Sequence, residues 1–477
     1  MSVYKNALWS FLSIIGTQLI NVLTNMVLAR LLAPEYFGIL GMAMVFAGVI
    51  FVIQESGFSS YLIYKKNYNI NVVSSTFWLN FIVSVCLALL LWILSPYISI
   101  LYNDDQVGIV LKYVSVGILI GSFGNTSRAI IMKNNKFKTI AKVDICAELV
   151  SSAFAIYFAI YFDSLLAVST KYLVRPLIQA LLSIISQPIS INGPFKLDKG
   201  ETRNIISYSS NVLGSQLFMY ANNNIDYFLV GKILGNIQLG YYSLAFQWGS
   251  IARYYISNAI IRVMFPEASK LQNDLLKVKS IFLEVVSKVS LISLPLCIGF
   301  SLVSYEFIYI FYGEKWIDVV PVLQLLLLAG GIASITIVGG SILRGIGNPL
   351  AEMKTSILSF GFFGLLLIVF TKYGIIAVAY CELLRVIVVE SFRLYLLKKS
   401  LNIKFKEVFI KITPNLLSVI AMVLVISIFS FFGFFSNIFI NLILKIIIGV
   451  TTYIIATYFF NRKEIEMFLT KFKVKGT

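Results

Sequence analysis

The sequence predicts an all-α integral membrane protein of about 14 transmembrane helices, arranged as two parallel-repeat six-helix lobes plus two C-terminal helices. Three observations predict it. Apolar stretches of about 20 residues, each long enough to cross a bilayer, recur along the chain. Only 13% of the residues are charged and 58% are hydrophobic, with a mean hydropathy of +0.87, whereas a soluble domain carries roughly 25% charged residues. The first half of the pattern also reappears in the second.

The spans fall near 7–31, 36–55, 73–94, 108–130, 143–162 and 165–186, then 207–231, 240–262, 284–308, 319–343, 353–371 and 374–396, and finally 412–433 and 437–460. The first is too long for a signal-peptide core and lacks a small-residue cleavage pattern, so it reads as a membrane helix. The polar stretch "QPISINGPFKLDKGETRN" separates the sixth from the seventh. The expected organisation is an N-terminal lobe over 1–186, a cytoplasmic linker over 187–206, a C-terminal lobe over 207–396, and two additional helices with a basic cytoplasmic tail over 397–477.

The repeat is visible in order. "GTQL" at 16–19 matches "GSQL" at 214–217, and "LLAPEYFGILGMAMVF" at 31–46 matches "ILGNIQLGYYSLAFQW" at 233–248. "RAIIMKNNKFKTIAK" after the fourth span faces "RGIGNPLAEMK" after the tenth, with Arg128 opposite Arg344. Each half begins on the same side, so the repeats are parallel, a pattern of transporters that handle substrate at the repeat interface. Gly16, Gly214, Gly339 and Gly340 are expected to allow close helix contact, and Pro176 and Pro295 to bend their helices.

The net charge of +17 suggests nucleic acid only until the basic residues are placed. They sit in short loops, where Lys and Arg set topology. The even-numbered loops and both termini hold roughly 28 of them, against about 5 in the odd-numbered loops, which puts both termini in the cytoplasm. Cys86, Cys146, Cys297 and Cys381 lie far apart inside spans, without metal-ligand or redox spacing, and there is no histidine. No metal site and no cofactor are expected. The chain lacks a P-loop, so it is not expected to hydrolyse ATP.

Further phrases carry a family resemblance: "ARLLAPEYFGILGMA", "ESGFSSYLIYKK", "STFWLNFIVSVCLALLLWILSPYISILYND", "NNIDYFLVGKILGNIQLGYYSLAFQW", "VMFPEASKLQND" and "FYGEKWIDVVPVLQLL". In order and spacing, from about residue 5 to 400, the chain resembles the polysaccharide exporters, or lipid-linked oligosaccharide flippases, of the multidrug/oligosaccharidyl-lipid/polysaccharide exporter superfamily. The resemblance implies two six-helix lobes around a central cavity, and alternating access in the cytoplasmic membrane. It implies as cargo an O-antigen, capsule or exopolysaccharide repeat unit on a polyprenyl diphosphate, passed from inner to outer leaflet. Its implied partners are membrane lipids and other polysaccharide-assembly membrane proteins, with no nucleic acid and no enzymatic step. The turns "ARLLAPEYFG" and "GKILGNIQLG" match exporters of many sugars and do not name the cargo.

Charges within the spans supply the candidate site. An Arg or Lys at a helix centre costs roughly 2.5–3.5 kcal/mol to insert, so each should meet water or a partner. Glu284 with Lys288, Glu382 with Arg385, and Glu390 with Arg393 are spaced to pair on one helix. Asp144 and Glu148 are read as structural beside Lys142, and Lys445 as reaching the interface by snorkelling. Lys171, Arg175 and Arg253 have no acid within four residues on their own helices. With Arg30 they are the candidate cationic, substrate-binding set, because guanidinium donors suit the oxygens of a diphosphate. The structural alternative is an interhelical salt bridge, for example of Arg253 with Asp226. Asp226 is read as gating with Arg30, as binding a coupling Na⁺ or H⁺, or equally as ordinary packing. Gln18, Asn25 and Asn223, among neighbouring amides, would dress the same cavity or glue helices together.

Two other functions fit less well. A cation-coupled drug antiporter of the same superfamily predicts twelve spans and an acidic cavity. A polysaccharide polymerase or ligase usually needs a long outer loop with catalytic residues, and "SPYISILYNDDQV" is short, with only Asp104 and Asp105. A fluorescent protein fused after Thr477 should fluoresce in cells, and alkaline phosphatase at the same place should stay inactive. Active phosphatase there would reverse the topology.

Overall fold

Hydrocarbon offers the backbone no hydrogen-bond partner, so a spanning segment must satisfy its own amides, and the long apolar stretches of this chain are α-helices. The computed structural model describes residues 3–55, 58–65, 69–162, 164–191, 193, 198–253, 258–433 and 437–462. No β-strand occurs among them, and 11 helices are both long and apolar enough to cross a membrane. The expected spans near 207–231, 240–262 and 374–396 are helical too, so far as they are described, but are not among those 11. They are the spans that hold Asp226, Arg253 and the acid–base pairs from Glu382 to Arg393. Residues 254–257, part of the expected linker (192 and 194–197) and the basic tail from 463 lie outside the described residues.

The first unit, Met1–Gly240, holds α1 (Val3–Leu31), α2 (Pro34–Glu55), α3 (Phe58–Tyr64), α4 (Ile70–Tyr102), α5 (Asp105–Lys133), α6 (Phe137–Tyr161), α7 (Ser164–Ser186) and most of α8 (Lys199–Gly249). α8 is two helices joined across Gly235, whose φ of 84° and ψ of −176° belong to a region that only glycine occupies readily. The compact units therefore divide beyond this break, whereas the expected lobes divide by duplication at 187–206. Those lobe boundaries remain a proposal.

Where the chain leaves a helix, short polar side chains take up the orphan amides. Asn69 and Asp104 accept from Val72 and Gln106 at the starts of α4 and α5, and Asn103 closes α4 in the left-handed conformation. On the side expected to be cytoplasmic, Glu201 of α8 accepts from Tyr61 of α3 at 3.0 Å and from Lys65 at 2.5 Å. That bond to the carboxylate raises Lys65 above the usual lysine value.

Two glycine seams fix helix rotations inside this unit. On α5, Gly117, Gly121 and Gly124 face Tyr172, Pro176 and Ala180 of α7. Pro176 has no amide to give, so the Tyr172 carbonyl four residues earlier lacks its helical donor. A Cβ on Gly117 would lie 2.0 Å from that oxygen, so only glycine lets α5 cover it. The second seam joins α2 to the segment of α8 around its break. A Cβ on Gly38 would lie 1.7 Å from the Asn236 carbonyl oxygen, and one on Gly240 would lie 2.1 Å from that of Pro34. Pro34 and Gly38 align with Asn236 and Gly240 in the internal repeat, so the contact is reciprocal, as in a two-fold interface. Beside it, Tyr220 donates to the Met44 and Val45 carbonyls through the space that Gly48 leaves.

Of the glycines singled out by the sequence, Gly16 packs on Ile145, and Gly339 and Gly340 make room for Leu397 and Glu352. Gly214 is not a packing glycine: nothing lies within 4 Å of a Cβ placed there. Pro176 and Pro295 lie within helices that continue through them.

The second unit, Tyr241–Thr477, holds the end of α8, then α9 (Asn258–Lys270), α10 (Leu275–Leu302), α11 (Ser304–Phe311), α12 (Val319–Thr336), α13 (Val338–Gly345), α14 (Pro349–Phe370), α15 (Ile375–Leu401), α16 (Phe405–Phe432) and α17 (Ile438–Phe460). α10 packs on α12 and α16, α12 on α15, and α14 on α15. The last two helices belong to this unit through α10 and α11. Buried Asn415 of α16 donates to the Ser287 carbonyl at 2.9 Å and to Ser290 at 2.7 Å, and accepts from Asn461 at 2.8 Å. With no hydrophobic drive between helices in lipid, such amides hold the pair in place.

Gly38→Ala should lower stability by about 3 kcal/mol, because the added methyl meets a backbone oxygen that cannot turn away. Gly214→Ala should be neutral or stabilising by up to ~1 kcal/mol. Melting curves of the purified variants in one detergent test the contrast.

Candidate functional site

Lys171, Arg175 and Gln179 recur every four residues on α7, so they share one face. The α5 seam occupies Tyr172, Pro176 and Ala180, one residue further on in each turn, which turns the polar face toward α6 and α1. There it meets two acids that are themselves four residues apart on α6. Glu148 is fully buried, its side chain 1% exposed. Its Oε1 pairs with Lys171 Nζ at 2.6 Å and its Oε2 with Arg175 Nη1 at 3.1 Å. Asn21 of α1 donates to Glu148 at 3.3 Å, and Asn25 donates to Asn21 at 3.0 Å. Asp144 takes both terminal nitrogens of Arg128, at 2.6 and 2.9 Å, with Gln179 at 3.1 Å and Ser13 at 3.2 Å.

Asp144 and its arginine balance. Glu148 does not, because two cations share one carboxylate and leave one positive charge in excess. The two cations are also held differently. The Lys171 side chain is 13% exposed, that of Arg175 40%.

A comparable arrangement occurs in the second unit. Arg385 of α15 grips Glu382 on the same helix, with Nε to Oε2 at 2.6 Å, and also donates to Ser359 of α14 at 2.9 Å. Arg253 approaches the same carboxylate at 3.7 Å. It stands on a π-helical turn at 252–253, beyond a crossing where a Cβ on Gly330 would lie 2.2 Å from the Gly249 carbonyl oxygen. A shallow recess, open to the surface, is lined here by Phe246, Ser250, Arg253, Leu326, Ala333 and Glu382. About two turns along α15, Arg393 pairs with Glu390, which accepts from Thr336 of α12 at 2.7 Å.

A family profile described as "Polysaccharide biosynthesis protein" matches residues 27–321, more than half of the sequence. The chain belongs to this polysaccharide biosynthesis protein family. Two relatives are the lipopolysaccharide biosynthesis protein WzxC of Escherichia coli (strain K12) and the teichuronic acid biosynthesis protein TuaB of Bacillus subtilis (strain 168). WzxC is 25% identical over 353 residues, 73% of this chain and 69% of that one. TuaB is 27% identical over 292 residues, 61% of this chain and 60% of that one. In fold the chain is similar to the lipid II flippase MurJ in an inward closed conformation, with a TM-score of 0.76 and 16% identity over 96% of this chain and 100% of that one. It is also similar to an inward-facing multidrug resistance MATE transporter of the MOP superfamily, with a TM-score of 0.63 and 15% identity over 82% of this chain and 98% of that one. The family member described here is thus an all-α, multi-pass membrane protein with a transporter fold.

The sequence-predicted residues are distributed as follows. Lys171, Arg175 and Asn25 join one network, with Asn21 as the link to Glu148. Arg253 belongs to the other network, where it approaches Glu382. Gln18 is half-buried on α1 between Ser13 and Asn21, Arg30 is exposed at the end of α1, Asn223 is exposed on α8, and Asp226 is buried there. The pairs Glu284–Lys288, Glu382–Arg385 and Glu390–Arg393 form as their spacing predicts. Sequence reasoning missed Glu148 as the hub and read Asp144 and Glu148 beside Lys142. The signal was present: two acids four apart and two bases four apart, on consecutive helices joined by a short turn.

Lys445 does not snorkel. It pairs with Glu306 of α11 at 2.5 Å, the two side chains 13% and 9% exposed. Lys445→Met should therefore cost about 3 kcal/mol by stranding a buried carboxylate, and adding Glu306→Leu should recover most of it. Melting temperatures of both variants distinguish a buried pair from a cation reaching the interface, for which the second change would restore nothing.

Proposed function

We propose that this family member is a flippase. It moves a polyprenyl-diphosphate-linked oligosaccharide, such as an O-antigen, capsule or exopolysaccharide repeat unit, from the inner to the outer leaflet by alternating access. The observation that carries the reading is the excess positive charge at Glu148, Lys171 and Arg175 within the membrane-spanning part of a polysaccharide biosynthesis protein. A lipid-linked sugar presents three chemistries. Its prenyl tail stays in hydrocarbon, its sugar hydroxyls suit amides such as Asn21 and Asn25, and its diphosphate suits guanidinium. Arg175 is proposed to receive the diphosphate, and Arg253 is proposed as a separate phosphate-binding cation within its own unit. Lys171 supports the charge from its buried position, and Arg30 offers a further cation at the end of α1.

No covalent step is required, so the protein is proposed to act as a transporter and not as an enzyme. It resides in the cytoplasmic membrane with both termini inside. Outward movement of an anionic headgroup runs with the membrane potential, worth about 2.3 kcal/mol per charge per 100 mV. Asp226 is the proposed place for a coupling Na⁺ or H⁺.

Vesicles containing the purified protein and a labelled lipid-linked oligosaccharide test the reading. Label should reach the opposite leaflet. Arg175→Ala and Arg253→Ala should each slow transfer by about tenfold or more, the loss expected when a charge-assisted hydrogen bond is removed, while the protein still inserts. Full transfer by both variants refutes the assignment, and uptake of small cations in place of lipid transfer refutes the flippase.

A further inference from the structure

We infer that Glu148 is an internal stand-in for the cargo's diphosphate: it holds Arg175 while the site is empty and competes for it when a headgroup arrives. The inference rests on the flippase reading above and assigns a role to a residue that reading leaves unassigned. Glu148 touches no cargo in this scheme. It is a positioning residue that acts through Arg175.

Three features support it. First, the carboxylate divides its oxygens. Lys171 and Asn21 take Oε1, and Arg175 takes Oε2. Arg175 can therefore leave without stranding a buried charge, because Lys171 stays in contact at 2.6 Å. Second, the cation that leaves is the accessible one, 40% exposed against 13%, and it is the longer contact at 3.1 Å. Third, Glu148 is not needed to fasten α7. Gln179 and Arg128 already converge on Asp144 one turn away, and the α5 glycines hold the opposite face.

The chemistry favours such a device. A flippase must release what it binds. A guanidinium with no counter-ion would hold a diphosphate tightly and would be costly to keep in a membrane. A guanidinium locked to its own carboxylate would not bind at all. A shared, half-exposed one lies between these limits, because the headgroup displaces a weak ion pair on entry and that pair re-forms on exit.

The test uses a change that conserves charge. Glu148→Gln combined with Lys171→Met removes one negative and one positive charge, so the group keeps its single excess charge while Arg175 loses its competitor. Full-length protein in lipid nanodiscs would be titrated with farnesyl diphosphate, and the same variant assayed for transfer of the labelled lipid in vesicles. Binding should tighten about fivefold, the scale of a partly exposed ion pair. Transfer at saturating cargo should slow by a similar factor, giving a lower KM with a lower kcat. Adding Arg175→Ala should remove the gain in binding. If the double variant does not accumulate, Glu148→Asp keeps the charge but withdraws it by one methylene, and should shift binding the same way by about twofold. Unchanged affinity and kcat with only a lower melting temperature would make Glu148 a helix fastener and overturn the inference alone. A wild-type protein that neither binds farnesyl diphosphate nor transfers lipid would overturn the flippase reading beneath it.

Discussion

A carboxylate with almost no exposed surface, inside a protein whose outer solvent is hydrocarbon, must be answered by cations of the same protein, and Glu148 is answered twice. That constraint organises the first unit. Three helices converge on the acids of α6: α1 supplies Ser13 and Asn21, α5 supplies Arg128, and α7 supplies Lys171, Arg175 and Gln179. The contacts of Lys171, Arg175 and Gln179 form only if α7 is rotated correctly. The rotation is set by the glycine seam on its other side, where the carbonyl released by Pro176 lies against Gly117. The residue that weakens the helix is thus also the one that helps to index it.

Such networks contribute little net stability. Dehydrating two charges costs several kcal/mol per ion, and their attraction repays this only when the geometry is good. Their value is better sought in register and in function. Asp144 with Arg128 is bidentate and balanced, as a fastener should be. Glu148 is over-answered by one cation, which a fastener does not need. The second unit repeats the contrast along α15: Glu390 pairs with Arg393, whereas Glu382 is approached by Arg253 as well as by Arg385.

Duplication leaves its mark on contacts as well as on letters. Arg128 at the end of α5 pairs with Asp144 of the next helix, and Arg344 at the end of α13 pairs with Glu352 of the next, at 2.7 Å. The two arginines were aligned by the repeat. Pro34, Gly38, Asn236 and Gly240 go further, since the aligned residues touch each other reciprocally. A contact of this kind tolerates no side chain on either glycine, so the two copies of the motif constrain one another. Small residues at such crossings let helix backbones approach closely.

The sequence by itself determined the solvent, the class and the local pairs. Apolar runs of bilayer length dictate helices because lipid leaves the backbone no other partner, and i,i+3 and i,i+4 spacing dictates pairs such as Glu284–Lys288 and Glu390–Arg393 because both members ride on one rigid helix. The repeat and the family resemblance were equally legible, being matters of order along the chain. The tertiary structure alone decided which distant groups meet: Arg253 with Glu382, Lys445 with Glu306, and Glu148 with two bases at once. The physical reason is that a helix announces its stripe but not its azimuth. Azimuth comes from packing, from a glycine that admits a carbonyl here and a tyrosine that takes up space there, and a turn of a few tens of degrees would have sent the same stripe to another neighbour.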